Sequence, residues 1–272
     1  VRIADFDTRF ISLGTPKRIW TISAIHGEAQ RLMDLHDALL DLVRPGDRIV
    51  YHGNYVGYGE QPCETIDELL TFRRILLSIP GMIPDDIVYL RGGQEEMWQK
   101  LLQLQFAHKP ADVLLWMLGK GLAGTLASYE ISPHDGIIAA QEGVMSLTRW
   151  TGKIRDAVRK HPGHDIFSTI LRRAAFTGIE SECPLLFVHA GINPEHSLEN
   201  QGDSFWWGNN DFNAIHVPYT PFQKVIRGFD PKHRGMNING VTTTIDGGCG
   251  FGGSLVCASF DSSGNLLETI QT

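Results

Sequence analysis

The chain has 272 residues, 42% of them hydrophobic and 20% charged, which suits one large soluble α/β domain. A net charge of −7 counts against generic nucleic-acid binding, because phosphate backbones are held by positive surface. No apolar run approaches the roughly 20 residues that cross a bilayer, and the N terminus has no signal-peptide pattern.

The four cysteines, Cys63, Cys183, Cys249 and Cys257, show no C-x-x-C pair and no zinc spacing, so a reduced, cytoplasmic setting is expected. In chain order, residues 19–25 predict a buried strand that ends at His26-Gly27. Leu32, Leu35, Leu39 and Leu42 then recur at helical spacing until Pro45-Gly46-Asp47 stops the helix. Residues 48–51 predict a second strand, leading into a glycine-rich loop over 53–59. A helix over 66–79, a strand over 87–90 and a turn at Gly92-Gly93 complete the series. Strand, glycine turn and helix alternate in the manner of parallel βαβ units, which place loops at the carboxyl ends of strands, where α/β sheets build their sites.

Beyond Leu101 the pattern changes. Val144, Leu147, Trp150, Ile154 and Val158 lie on one helical stripe. Phe167, Ile170, Leu171 and Ala174 predict a second helical stripe after Pro162-Gly163. Strands return at 185–188, 225–227, 241–245 and 255–260. No repeat or low-complexity linker marks a domain boundary.

The turns follow a particular order: Ser23-Ala24-Ile25-His26-Gly27, Gly53-Asn54-Tyr55-Val56-Gly57-Tyr58-Gly59, Gly92-Gly93-Gln94-Glu95 and His189-Ala190-Gly191. With the segments 124–129, 187–194 and 245–253, they resemble the motif series of the calcineurin-like metallophosphatases across nearly the whole chain. The serine/threonine protein phosphatase and diadenosine-tetraphosphatase branch is the nearest in pattern. The resemblance implies an α/β sandwich of two mixed sheets flanked by helices. It further implies a single domain over 1–272, with a mainly helical insertion around 100–182.

The family's reaction clamps two metal ions around a bridging hydroxide and holds the phosphate with arginines. Carried over position by position, most of that chemistry is missing here. Ala24 stands where the first motif has a metal-binding Asp, while His26 keeps the motif's histidine. Asn54 replaces the bridging Asp, Gly57 a second Asp, and Tyr58 a phosphate-binding Arg. Gly93 and Gln94 replace an Asn ligand and the proton-donating His, with Glu95 retained. His189 keeps a ligand histidine, Phe229 replaces another, and Asn209 stands where a second phosphate-binding Arg is expected. Alanine, glycine and phenylalanine offer no side-chain donor, and an amide lacks the charge with which a carboxylate bridges two dications. Gln94 has no proton to give at neutral pH.

No cofactor is therefore expected. The alternative is weakly bound Mn, Fe or Zn on His26 and His189. A rebuilt metal site from His26, His52, Asn54, His189, Asp230 and His233 is a further alternative, although His52 should point away from the face of Gly53. The aromatic run Phe205, Trp206, Trp207, Phe212 and Phe222 reads as core before it reads as a docking surface. Arg149, Lys153, Arg155, Arg159 and Lys160, with Arg172 and Arg173, concentrate positive charge on an acidic chain and form the candidate surface for a protein partner. The leading expectation is a catalytically inactive relative, a pseudophosphatase, that acts as a binding, scaffolding or regulatory subunit. The alternatives are an active metal-dependent phosphoesterase with a rearranged or single-metal site, and an architectural subunit of a larger complex.

Overall fold

The computed structural model describes residues 8–208 and 211–272. Among the described residues, eleven strands are distributed over two sheets. In chain order they are β1 (Phe10–Ser12), β2 (Arg18–Ile22), β3 (Arg48–Tyr51), β4 (Ile87–Tyr89), β5 (Ala174–Phe176), β6 (Leu185–Val188), β7 (Lys224–Arg227), β8 (Asn237–Ile238), β9 (Thr242–Thr244), β10 (Val256–Asp261) and β11 (Leu266–Gln271). One sheet has the order β11-β10-β2-β3-β4 and the other β1-β5-β6-β7-β9-β8. In the first, β2, β3 and β4 pair in parallel, as the alternating sequence requires, and β10 and β11 close one side antiparallel. Both sheets are mixed, and the α/β sandwich expected from the sequence is the fold observed.

Side chains along a strand point alternately to opposite faces, and this alternation builds three apolar layers. Ile19, Val50, Val88, Phe187, Ile226 and Val256 meet in the layer between the two sheets. Trp20, Ile49 and Tyr51 turn outward from the first sheet onto α1 (Ala29–Leu40) and α2 (Pro62–Ser78), where Leu32, Leu35, Leu69 and Phe72 cover them. On the far face of the second sheet, Phe205, Trp206, Phe212 and Phe222 are buried against Leu186, Val188 and Val225. These four of the five aromatics are core, as expected, because each large ring gains most free energy when removed from water, while Trp207 is only half-buried.

Between β4 and β5 the chain is helical: α3 (Gly93–Leu101), α4 (Pro110–Met117), α5 (Ala123–Ser128), α6 (Pro133–Glu142), α7 (Val144–Arg159) and the short α8 (His164–Phe167). Leu101, Leu114, Leu126, Leu147, Trp150 and Ile154 form a separate core for this segment. The predicted stripe on α7 holds at Leu147, Trp150 and Ile154, which are buried, while Val158 is half-buried and Val144, at the start of the helix, is exposed.

The second predicted stripe is not a helix. Only Phe167 belongs to α8, and Ala174 lies in β5. The backbone of Arg172 is taken by the sheet instead: its N–H donates to Tyr89 O at 2.8 Å and its carbonyl accepts from Arg91 N at 2.7 Å. The apolar spacing reflects Phe167 and Leu171 packing beneath α2, followed by an extended run whose alanines fit between β1 and β6. Three further strands escaped the sequence reading for simpler reasons: β1 is only three residues long, too short to show a period. β8 and β11 are mostly exposed, so they carry no apolar alternation to read.

Candidate functional site

The motif loops after β2, β3, β4, β6 and β7 converge at one end of the sandwich. Backbone bonds hold them together: Ala24 N–H donates to Gly228 O at 3.0 Å, His26 N–H to Asn54 O at 2.7 Å, and Gly228 N–H to His189 O at 3.2 Å. Gly53 allows one close approach. Its φ is +89°, and a Cβ there would stand 2.4 Å from Gly92 N, which no side chain tolerates. Glu95, at the start of α3, is the anchor of the assembly. Its buried carboxyl group accepts from Asn54 N at 2.8 Å, Tyr55 N at 2.9 Å and Gly92 N at 2.8 Å. Burial pushes this carboxyl's pKa up, against the pull of those backbone donors. The loops are thus tied to one another by backbone bonds and by one shared carboxyl group.

The side chains on that scaffold are a different set. His26, in the left-handed region at φ 57°, is buried among rings, with Tyr58 and Phe229 at 5.5 Å and Phe251 at 5.1 Å between centroids. Its Nε2 accepts from the Asn54 amide at 3.3 Å, while Asn54 Oδ1 accepts from Gln94 N–H at 2.9 Å. His189 donates from Nδ1 to His52 O, and Phe229 lies flat on its ring, 5.1 Å between centroids and 7° from parallel. The Gln94 side chain donates to Lys120 O at 2.8 Å and lies against Gly57, where a Cβ would stand 2.8 Å from Gln94 Cδ. A Cβ on Gly93 would likewise stand 2.7 Å from the Trp207 ring. Above these residues remains a cavity of about 190 Å³, lined in part by Tyr58, Lys120, Trp207, His233 and Phe251.

These residues do not fit a pair of metal ions. Asn54 engages the His26 nitrogen that would face a metal, Ala24 offers no donor, and Gln94, Trp207 and Phe229 fill the space in which the remaining ligands would stand. Burial drives both histidines toward the neutral form, His26 down to about 3 and His189 down to about 3.

The histidines and carboxylates weighed as a rebuilt site do not combine either. His52 faces the other way, as expected: it is fully buried, its Nδ1 donates to Val188 O at 2.7 Å, and burial lowers it to about 4. Asp230 is engaged by Arg227 Nη2 at 3.1 Å and Arg234 Nε at 2.8 Å. Burial alone would raise the Asp230 carboxyl, but the Arg234 and Arg227 guanidiniums hold it below the usual range. His233 reaches Asp246 at 3.4 Å and leans on Phe251 with 4.0 Å between centroids. Asn209 lies outside the described residues.

The basic segment divides. Arg149, Lys153, Arg159 and Lys160 are exposed on or just after α7, with Asp156 among them. Arg155 is half-buried and donates to Leu102 O, so it holds α7 to the chain after α3. Arg172 and Arg173 lie off the helix in the run into β5, and Arg173 sits over the Trp206 ring at 5.9 Å. They do not extend the α7 face.

Sequence reasoning missed one cluster. Among the described residues, Cys63, His161 and His164 are the one group of His, Cys, Asp or Glu whose ligand atoms all lie within 4.8 Å of one another. The cysteines lack zinc spacing along the chain, yet Cys63 meets a His-x-x-His pair across a separation of 98 residues. Burial, with Asp67 and Glu64 nearby, pushes the Cys63 thiol up to about 12, so it is no free thiolate nucleophile. A cavity of about 290 Å³ adjoins it, lined by Glu95, Trp98, Tyr129, His164 and Phe167 among others.

No known family profile matches the sequence, and no curated protein matches it. Solved structures do. A protein provisionally identified as a diadenosine tetraphosphatase superposes with a TM-score of 0.52 at 14% identity, over 97% of each chain. A protein serine/threonine phosphatase from Saccharomyces cerevisiae gives a TM-score of 0.51 at 12% identity, over 97% of this chain and 84% of its own. The cold-active protein-tyrosine phosphatase of a psychrophilic Shewanella species gives 0.51 at 13% identity, over 100% of this chain and 86% of its own. Likeness at such low identity speaks to architecture and not to reaction. The chain has the two-sheet α/β sandwich of the metallophosphatases.

Proposed function

We propose that this protein is a pseudophosphatase: a metallophosphatase scaffold that no longer hydrolyses phosphate esters and works by binding another protein. The observation that carries the reading is the Phe229 ring stacked flat on His189, together with Gln94 and Trp207 in the space above Gly57 and Gly93. A metal pair needs charged donors and room, and here the room is filled by side chains that pack. Metal activation, leaving-group protonation and phosphate clamping each lack their residue.

Hydrolysis of aryl phosphates, phosphopeptides and dinucleoside polyphosphates should therefore stay at background with added manganese. That places it at least about 10⁴-fold below the ~10 s⁻¹ typical of an enzyme. Steady turnover that vanishes in His26→Ala or His189→Ala would overturn the reading and favour a single-metal enzyme.

The binding surface is the exposed face of α7, where Arg149, Lys153, Arg159 and Lys160 set positive charge on a chain of net charge −7. The partner that suits it is an acidic protein surface, held more weakly as salt rises. A pull-down from the native host should lose its partner when Arg149→Glu, Lys153→Glu and Lys160→Glu are combined, and keep it in Tyr58→Ala. The reverse pattern would move recognition to the remnant cleft.

A further inference from the structure

Cys63, Asp67, His161 and His164 lie away from the remnant cleft, where the start of α2 meets the turn between α7 and α8. Cys63 and Asp67 are four residues apart on α2, so their side chains share one helical face. His161 and His164 flank Pro162-Gly163, and Gly163, at φ 91°, turns the chain so that the two imidazoles stand 5.1 Å apart between centroids. Cys63 Sγ is 3.4 Å from His161 Nδ1 and 3.7 Å from its Nε2. Asp67 Oδ1 is 3.1 Å from His164 Nε2. In a tetrahedral zinc centre, with Zn–S about 2.3 Å and Zn–N or Zn–O about 2.0 Å, neighbouring ligand atoms stand about 3.3–3.5 Å apart. The Cys63–His161 and Asp67–His164 pairs already stand close to that spacing, and the ligand atoms of Cys63, His161 and His164 lie within 4.8 Å of one another, so that Asp67 closes the set by a small swing of its exposed side chain.

Their surroundings suit a resident ion. Cys63 and His164 are buried, at 5% and 4% exposure, while the Asp67 side chain is 57% exposed and leaves a path of entry. The Tyr129 hydroxyl, 2.7 Å from His164 Nδ1, fixes that ring with its Nε2 turned toward Asp67. A second-sphere partner of this kind is what a metal-bound histidine ordinarily has.

We propose that Cys63, Asp67, His161 and His164 form a structural zinc site that clamps the helical segment onto the first sheet. On binding, the Cys63 thiol proton leaves to solvent and the thiolate takes its place on the metal. The His164 proton moves from Nε2 to Nδ1, where it is donated to the Tyr129 oxygen, and Nε2 becomes a ligand. Cys63 and Asp67 hold the ion from α2, and His161 and His164 hold it from the end of the helical segment. The site owes nothing to the glycine loops.

The test is metal binding by the full chain. Protein stripped with a chelator and titrated with Zn²⁺ alone should take up about one ion per chain and melt at least about 5 °C higher. Co²⁺ in its place should give a thiolate-to-cobalt charge-transfer band. Cys63→Ser should abolish that band and the thermal shift, whereas His26→Ala and His189→Ala should keep both. Should Cys63→Ser fail to fold, Asp67→Asn, at an exposed position, must weaken zinc binding at least about 10-fold. Absence of zinc uptake, a cobalt complex without the thiolate band, or metal lost in His189→Ala but retained in Cys63→Ser would each overturn the proposal. A manganese or iron pair lost in His26→Ala would instead contradict the pseudophosphatase reading and leave this site standing.

Discussion

Acidification from pH 7.5 to pH 5.5 should cost the folded protein about 4 kcal/mol, well before its carboxylates are protonated. The cause is His26, His52 and His189, all buried around the loops that join the two sheets. Burial lowers them to about 3, about 4 and about 3, against an ordinary value of 6.5. Folded, they remain neutral throughout this window. Unfolded, each takes up a proton as the pH passes below 6.5, so the unfolded state binds more protons and stability falls with pH. One pH unit below the unfolded value, each histidine contributes about 1.4 kcal/mol to that loss, and the three together about 4 kcal/mol. The loss continues until the folded-state values are reached. Urea midpoints across this range are the measurement, and His52→Gln should flatten the dependence by about a third. A midpoint that does not move would mean that these rings are already protonated or open to water in the native protein.

Glu95→Ala should be among the most damaging single substitutions in the chain, at about 3–5 kcal/mol. Its carboxyl group is the acceptor for Asn54 N, Tyr55 N and Gly92 N, and removal leaves buried donors with nothing to replace it. The loops after β3 and β4 would lose their common anchor, although Gly53 and Gly92 would still be in contact. Glu95→Gln keeps one acceptor oxygen and should lose about half as much. Chemical denaturation reads both. An alanine variant within about 0.5 kcal/mol of the parent would show that the backbone holds the loops without it.

The parts of this fold that were legible in the sequence are those whose apolar side chains keep a period. β3 and β6 carry uninterrupted apolar runs in the middle of their sheets, and α7 keeps its buried stripe. Strand β11 was illegible because an exposed edge has no period to keep. The run from Phe167 to Ala174 misled because helical spacing can also arise from a short turn of helix followed by a strand. At the candidate site, the glycine turns marked the loops that come together. What packs upon those loops was hidden. Trp207 against Gly93 and Phe251 against His26 are meetings of distant segments, which no local spacing records. The pairing of Cys63 with His161 was hidden in the same way.

The packing around these loops has a consequence for their substitution. A side chain at position 57 meets the end of Gln94, and one at position 93 meets the Trp207 ring. Each glycine is therefore coupled to the side chain that covers it, and a larger residue enters only if that neighbour swings aside or is made smaller. A single substitution at either glycine probes room before it probes chemistry, and only a paired change, with Gln94→Ala or Trp207→Ala, separates the two.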